Sequence, residues 1–439
     1  MLGLDQLSIF IPESEKPRVV IIGGGFAGIK LAKGLNNKHY QVVMLDRHNY
    51  HTFQPLLYQV ATAGLEPDSV AGPLRKTIDD QENFYFRMAK VTGINTQDKT
   101  ISTIVGDLKY DYLVIASGTL TNFFGNEGLR DLSFPIKQIP QALDLRSHLL
   151  QNFEKAVMTQ KNGTELESLM NFVIVGGGPT GVEVAGALSE LKRNVLPSDY
   201  PELDFSKMHI YLVEGLDRLL NGMTEKSGNK ALKYLEKFGV EMLLGKVVKA
   251  YDGKTVFFND GTTIISDTLI WAAGVKGNIL SGLEESSVER GRFIVDEHNL
   301  IKGYQDIYAI GDVASMISKK HPKGHPQLAP VAIQQGKHLA KNLIRKAEGK
   351  EMKPFSYLDK GSMATIGRNK AVVDLPTGQQ FGGFVAWLIW MFIHLVSIIG
   401  FRNKLVVLSN WIWNYFTYDR GIRLIIRPFV KQKSKYEQY

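Results

Sequence analysis

Short apolar runs recur along the chain, and each is closed by a glycine, a small residue or an acid. Val19–Ile22 runs into Gly23, Tyr40–Leu45 into Asp46, and Tyr110–Ile115 into Ala116-Ser117-Gly118. Further on, Phe172–Val175 runs into Gly176, His209–Val213 into Glu214, and Leu269–Trp271 into Ala272-Ala273-Gly274. Unbroken apolar runs of this length, bounded by turn residues, predict strands buried on both faces, as in a parallel sheet. Segments rich in Ala, Leu, Ile and Val follow the first and fourth runs and predict helices. The pattern is therefore stated twice, with Gly176 lying 153 positions after Gly23.

Between and beyond the repeats the pattern is looser. Phe84–Val105 alternates as short antiparallel strands would, Gln141–Met158 has helical spacing, and Lys161–Glu167 is a polar loop. Gln305–Ala314 predicts a strand ending in Gly311-Asp312, Leu328–Leu343 a helix, and Lys353–Val373 strands with a turn at Gly367. The fold class expected is α/β: two Rossmann-like dinucleotide-binding domains, the two-dinucleotide-binding flavoprotein plan, with a C-terminal membrane-associated helical module. Residues 1–125 and 296–373 form the first domain, 126–295 the second with a connecting helix at 141–158, and 374–439 the module.

The glycines give the repeats their chemistry. Gly23, Gly25 and Gly28 have the spacing GxGxxG, as do Gly176, Gly178 and Gly181. The first glycine allows the tight turn, the second lets a pyrophosphate approach the backbone, and the third lets the helix pack on the strand. The helix N-terminus then offers unpaired N–H groups to the phosphates. Asp46, 18 positions past Gly28, and Glu214, 33 past Gly181, are placed to accept ribose hydroxyls. The second spacing exceeds the usual value of about 20, and Arg193–Ser206 would absorb the excess. A terminal acid favours NADH over NADPH, although Arg218 lies near. Asp312 can meet the ribityl hydroxyls or phosphate of a flavin. Two such units imply two dinucleotides, one resident and one exchanging, as hydride transfer through a flavin requires.

Composition narrows the chemistry. The chain has 439 residues and no cysteine. Disulfide exchange, thiolate metal sites and cysteine-held iron–sulfur clusters are excluded, and no metal site is expected. From residue 400 onward, Arg402, Lys404, Arg420, Arg423, Arg427, Lys431, Lys433 and Lys435 face only Asp419 and Glu437, so the tail carries +6 of the net +8. The remainder is nearly neutral, which argues against nucleic acid. A basic, aromatic tail suits an anionic membrane surface. Leu375–Phe401 contains no charged residue apart from His394. It is long enough to span a bilayer, but its glycines, proline and aromatics also suit helices lying in one leaflet, or a buried oligomer interface. The N-terminus has no basic region and does not resemble a signal peptide.

The segments GGGFAG, HTFQPLLYQVATA, ASGTLTNFFG, VGGGPTGVE, YAIGDVA and VAIQQG, in this order, resemble type II NADH:quinone oxidoreductase over roughly residues 17–430. The resemblance implies non-covalent FAD in the first unit, NADH in the second, and a membrane quinone, ubiquinone or menaquinone, reduced by two electrons without proton pumping. It implies a homodimer seated on the cytoplasmic face of the inner membrane. On it, Phe26, Ala27, Arg47, Thr52, Gln54, Ala116, Ser117, Gly118, Gly311, Asp312 and Ala332 join Gly23, Gly25, Gly28 and Asp46 at FAD. Pro179, Thr180, Glu183, Ala273 and Gly274 join Gly176, Gly178, Gly181 and Glu214 at NADH. Glu183 and Gln334 are the candidate catalytic residues, and Gln334, Gln335, His394 and Lys404 the candidate quinone contacts.

Each candidate has a plainer reading. Glu183 relays protons, or bonds the nicotinamide amide or caps a helix. Gln334 bonds a quinone carbonyl or the backbone. His394 donates a proton or is a satisfied core histidine. Lys404 meets a lipid phosphate. Sulfide:quinone oxidoreductases and disulfide reductases share the plan but need cysteines, soluble ferredoxin reductases have no use for the apolar C-terminus, and a flavin-bearing NADH sensor has no use for an intact VAIQQG.

Overall fold

The computed structural model describes residues 9–35, 39–78, 82–159, 163–418 and 421–430. The chain divides into two compact units. The first comprises Met1–His51, Gly72–Leu120 and Val275–Asp359, and the second Thr52–Ala71, Thr121–Gly274 and Lys360–Tyr439. These cuts fall elsewhere than at 125, 295 and 373. Residues 275–295 go with unit 1 because Arg292–Val295 pairs with Ala314–Met316 there. Residues from 360 go with unit 2 because Ser362–Gly367 packs on the helix Pro179–Asn194.

Unit 1 is built on a five-stranded parallel sheet in the order Ile307–Ala309, Tyr112–Ile115, Arg18–Ile22, Gln41–Asp46, Phe84–Met88. Val19, Val20 and Ile21 in the central strand are fully buried. Phe84–Met88 corrects the alternation reading: it is a parallel edge strand, and the antiparallel meander is Val91–Asn95, Thr100–Thr103 and Gly106–Lys109. Loose alternation marks an edge strand covered on one face, whichever way its neighbour runs. The helices Phe26–Leu35 and Ala329–Ala347 pack together through small residues. A Cβ on Gly336 would come within 2.3 Å of the Ala27 carbonyl oxygen, and one on Gly34 within 2.6 Å of Ala340 Cβ.

Unit 2 repeats the sheet with Phe134–Pro135, Thr268–Trp271, Asn171–Val175, His209–Glu214 and Val240–Leu244, all parallel. Its post-glycine helix, Pro179–Asn194, has 16 residues against 10 in Phe26–Leu35. The excess spacing to Glu214 thus begins in a longer helix and continues through Leu196–Asp199 and Phe205–Lys207. The loop expected at Lys161–Glu167 is helical from Gly163 to Met170, because Leu169 and Met170 are buried on the inner face; residues 161 and 162 lie outside the described residues.

The C-terminal part of unit 2 is an antiparallel sheet of Ser362–Gly367, Lys370–Asp374 and Gln380–Gly383, then helices Phe384–Ser397 and Phe401–Thr417. Gly400, at φ +86°, breaks the apolar stretch between the helices. Fourteen residues give about 21 Å of helix against about 30 Å of hydrocarbon. Among the described residues no helix is long and apolar enough to cross a membrane. The basic tail is also partly spent inside the unit. Arg423 Nη2 donates to Asp199 at 3.2 Å and Arg427 Nη2 to Asp144 at 2.7 Å, while the Phe429 ring lies 5.1 Å from Phe134. Asp419, Arg420, Lys431, Lys433, Lys435 and Glu437 lie outside the described residues.

Helix Pro179–Asn194 meets the C-terminal sheet at Gly186, where a Cβ would stand 1.7 Å from the Ile366 carbonyl oxygen. Backbone cannot yield as a side chain can. Gly186→Ala is expected to cost about 1–3 kcal/mol, read as a lowered melting temperature, whereas Gly222→Ala, with nothing near its Cβ, should melt close to the native chain.

Candidate functional site

Each parallel sheet ends in the same device. In unit 1 the Gly23 N–H bonds Leu45 O at 2.8 Å, Ala116 N–H bonds Ile22 O at 2.8 Å, and Gly24 N–H bonds Asp46 Oδ2 at 2.7 Å. In unit 2 Gly176 N–H bonds Val213 O at 2.8 Å, Ala272 N–H bonds Val175 O at 2.8 Å, and Gly177 N–H bonds Glu214 Oε2 at 2.6 Å. The second carboxylate oxygen of each acid accepts from its own turn, from His48 N–H and Leu216 N–H. Each acid thus fixes a glycine loop before any ligand arrives, and keeps lone pairs for a hydroxyl.

The three glycines of each loop differ in what demands them. Gly23 and Gly176 have φ +112° and +111°, and their Cβ atoms would strike the carbonyls of Ala116 and Ala272. A Cβ on Gly28 or Gly181 would sit 2.0 or 1.8 Å from the loop's own first carbonyl. The middle glycines, Gly25 and Gly178, have nothing within 4 Å of that position. The protein's packing does not require glycine there. An open backbone at the N-terminus of a helix fits a pyrophosphate.

Around the unit 1 loop the sequence candidates converge unevenly. Gly311, at φ +76°, lies against Ala27 and Ala332, so two helix N-termini and a bare turn share one spot beside Asp312. Ala116 caps the strand pairing; Ser117 Oγ donates to Asn278 O at 2.7 Å, and Gly118 O accepts from Asn278 N–H. Gln335 corrects its assignment as a quinone contact: it is 1% exposed, and its Oε1 accepts the Gly311 N–H at 2.7 Å. It props the Gly311-Asp312 turn. Gln334 is engaged with the backbone: Nε2 donates to Leu358 O at 2.9 Å and Oε1 accepts Leu358 N–H at 3.0 Å. Arg47 follows Asp46 at the loop.

His51 escaped the sequence reading, though it opens the HTFQPLL segment. It is buried, its Nδ1 lies 3.1 Å from Gly24 O, and its ring meets Phe26 edge-on at 4.8 Å. Burial depresses its pKa to about 4. A neutral imidazole donating to Gly24 O braces the same residue whose N–H Asp46 accepts.

In unit 2, Thr52 and Gln54 stand at the start of the segment, with Gln54 Oε1 accepting from Lys137 Nζ at 3.2 Å. Pro179 opens the helix, where its missing N–H costs nothing, and Thr180 beside it is exposed. Gly274, after Ala273, has φ +105° and accepts the Asn122 N–H. Arg218 is taken up by its own turn, bonding Asn221 Oδ1 and O, both at 2.9 Å.

The same unit holds an aromatic cavity of about 120 Å³. Its walls come from residues 58–64, helix Pro179–Asn194, strand Ser362–Gly367 and both C-terminal helices. Trp387, Trp390, Trp411 and Tyr415 give it flat apolar faces, and Glu183 opens into it. Trp411 Nε1 is fixed by Gln59 Oε1 at 2.9 Å, and Trp390 is 2% exposed. Glu183 is 7% exposed, and the Thr365 N–H approaches its Oε1 at 3.5 Å. Burial pushes its pKa up to about 8, tempered by Thr365 and by the indole of Trp390. At neutral pH the group holds a proton.

His394 and Lys404 are turned to other tasks and do not line this cavity. His394 Nδ1 donates to Trp390 O at 2.8 Å and its ring stacks on Trp390 at 4.1 Å. Burial holds its pKa near 4, so it is neutral. Lys404 Nζ donates to Val396 O at 2.8 Å, capping the last turn of helix Phe384–Ser397. Among the described residues no cluster could hold a metal ion.

Comparison with known proteins agrees with this geometry. The chain matches the pyridine nucleotide-disulphide oxidoreductase family over residues 17–336 and the NDH2 C-terminal domain over residues 360–418. It is 35% identical to the type II NADH:quinone oxidoreductase Ndh of Mycobacterium tuberculosis, across 97% of this chain and 95% of that one. It is 32% identical to a mitochondrial internal alternative NAD(P)H-ubiquinone oxidoreductase A1 of Arabidopsis thaliana, across 94% and 86%. Its fold superposes on NDH2 from Plasmodium falciparum in complex with NADH, with a TM-score of 0.86 at 21% identity, covering 94% of this chain and all of that one.

The buried carboxyl makes stability depend on pH. Glu183 titrates near 8 when folded and near an ordinary carboxyl value when unfolded, so the folded chain holds one more proton between about pH 4.5 and 8. Its contribution to stability falls as pH rises through that window. Melting temperatures of Glu183→Gln are expected to exceed those of the native chain increasingly from pH 6 to pH 8.5. Parallel curves would show that the carboxyl is solvated instead.

Proposed function

The chain belongs to the type II NADH:quinone oxidoreductases, and from that premise we propose how its residues divide the work. FAD is held non-covalently by the unit 1 loop, NADH by the unit 2 loop, and the quinone headgroup is received at the aromatic cavity beside Glu183. The observation that carries this reading is the pair of middle glycines left bare by the protein's own packing. When bound, FAD accepts a hydride equivalent from NADH and returns two electrons to a quinone.

Every other task falls to side chains and backbone. Asp46, His51 and the props at Gly311 hold the first cradle open, and two helix N-termini supply its positive potential. Asp312 beside them suits ribityl or phosphate contacts. Glu214 presents a carboxylate to the adenosine ribose, and Arg218 is spent on Asn221; both support NADH over NADPH. Trp387, Trp390 and Trp411 give a flat ring stacking surface, and Glu183, holding its proton at pH 7, is placed to protonate a quinone oxygen. Gln334 keeps the chain at Leu358 in position.

The exposed apolar side chains of the C-terminal helices support a seat on a lipid surface, which we place on the cytoplasmic face of the inner membrane. Phe392, Phe401 and Phe416 are 65%, 76% and 77% exposed, among other bare apolar side chains of the same helices. Such a face is costly in water and suits the interfacial layer of one leaflet. Proton uptake then comes from the side on which NADH is oxidised, and no charge is pumped.

Two results are expected. Gly178→Ala should weaken NADH binding at least tenfold, measured by equilibrium titration, and Gly25→Ala should lose flavin on gel filtration, while both apo-chains melt within about 0.5 kcal/mol of the native one. Unchanged nucleotide affinity in both would overturn the cradle assignment. Replacing Phe392, Phe401 and Phe416 together by Ser should lower vesicle binding at least a thousandfold, since about 1.5 kcal/mol or more per ring sums to about 4.5 kcal/mol. Undiminished vesicle flotation would place the membrane contact elsewhere, and dimers that form without vesicle binding would give that face to a second copy.

A further inference from the structure

The cavity has a second carboxylate whose role the reading above leaves open. Glu190 lies seven residues beyond Glu183 on the helix Pro179–Asn194, so both project from one face about 10.5 Å apart along the axis. Both line the same cavity. Glu183 is 7% exposed, whereas Glu190 is only partly buried and so nearer to solvent. The strand that ends at Gly367 brings the Arg368 N–H onto Glu190 Oε1, which fixes the carboxylate against the cavity rim. The space between has room for several waters.

We propose that Glu190 is the outer member of a two-carboxyl proton relay that recharges Glu183 from bulk water. The inference rests on the proposed role of Glu183 at the quinone. The overall reaction is NADH + H⁺ + quinone → NAD⁺ + quinol: the hydride carries two electrons and one hydrogen, and water must supply the other. As the electrons arrive, an O–H bond forms at the quinone oxygen and the Glu183 O–H bond breaks. The carboxylate left behind is buried and weakly hydrogen-bonded, an expensive state. The Glu190 carboxylate takes a proton from solvent and passes one inward through waters in the cavity to the Glu183 carboxylate, which returns both groups to their starting states.

The other charged or titratable groups facing the cavity do not serve this purpose. Arg368 lies over the Tyr418 ring at 3.4 Å, with its Nη2 donating to Asn414 O, and so caps the end of helix Phe401–Thr417. Tyr58, Tyr415 and Tyr418 complete the set, and phenols and guanidinium groups do not exchange protons readily near pH 7. Helix Phe384–Ser397 contributes only Trp387, Trp390 and Met391. Arg193, one turn beyond Glu190, is turned away onto Phe238 at 4.1 Å.

The test is stopped-flow kinetics on the flavin-loaded full chain, with the NADH and quinone half-reactions followed separately for Glu190→Gln, Glu190→Asp and Glu183→Gln. Glutamine keeps an acceptor for the Arg368 N–H, so the rim contact survives. Glu190→Gln is expected to slow the quinone half-reaction at least tenfold more than the NADH half-reaction, with a larger solvent deuterium isotope effect. Formate or azide as small proton carriers should restore much of the rate, and Glu190→Asp should keep part of it. An unchanged quinone half-reaction and isotope effect in Glu190→Gln would overturn the relay, as would equal losses in both half-reactions without rescue. A fast quinone half-reaction in Glu183→Gln would instead remove the underlying role of Glu183. A slow, rescued Glu190→Gln beside that fast Glu183→Gln would give Glu190 a separate route and end the pairing.

Discussion

The rest of the structure depends on a carboxylate holding a glycine loop still. Asp46 and Glu214 each end the strand next to their own loop's strand and accept the N–H of Gly24 and of Gly177, at 2.7 and 2.6 Å. That bond spans two strands of the sheet, so the loop inherits the rigidity of the sheet rather than its own flexibility. A site that must bind a dinucleotide repeatedly gains from being formed beforehand, since ordering a glycine-rich loop on each encounter would cost binding energy. Unit 1 reinforces the latch with a neutral His51 at Gly24 O and with Gln335 behind the Gly311 turn.

The second constraint is a carboxyl kept from water. Glu183 is placed by a helix whose start is dictated by the second glycine loop, and whose course is fixed by Gly186 lying against Ile366. The C-terminal helices then close over it with Trp390 and Trp411. In the proposed function, nucleotide binding and proton chemistry are thereby coupled through one helix: its N-terminus follows the loop, and Glu183 and Glu190 on it line the cavity. The aromatic covering raises the pKa of Glu183 by excluding water and also offers stacking faces, so one set of side chains serves both proton storage and ring binding.

Much of this was legible in the sequence. Two buried runs followed by GxGxxG and a terminal acid specified two parallel sheets and picked out Asp46 and Glu214, as ribose contacts; that they also latch Gly24 and Gly177 came only with the structure. The resemblance carried Glu183 into the site. What was not legible depended on tertiary partners. Phe84–Met88 alternates, yet it lies parallel, because alternation reports one-sided burial and not strand direction. Gln334 and Gln335 are chemically suited to a quinone carbonyl, and only the positions of Leu358 and Gly311 decide what they bond. The charge of the tail suggested a lipid contact, but Arg423 and Arg427 meet Asp199 and Asp144, more than 200 residues away in the chain. The cavity is assembled from five separate segments, and no local pattern announces it.

The central claim is that two cradles and one proton-bearing cavity act in a single electron path. The most direct measurement is an anaerobic titration of the purified chain followed by its visible spectrum. The account predicts that one equivalent of NADH per chain bleaches the bound flavin and that one equivalent of a short-chain quinone restores it. Bleaching without recovery on adding quinone, or a flavin that NADH leaves oxidised, would contradict it.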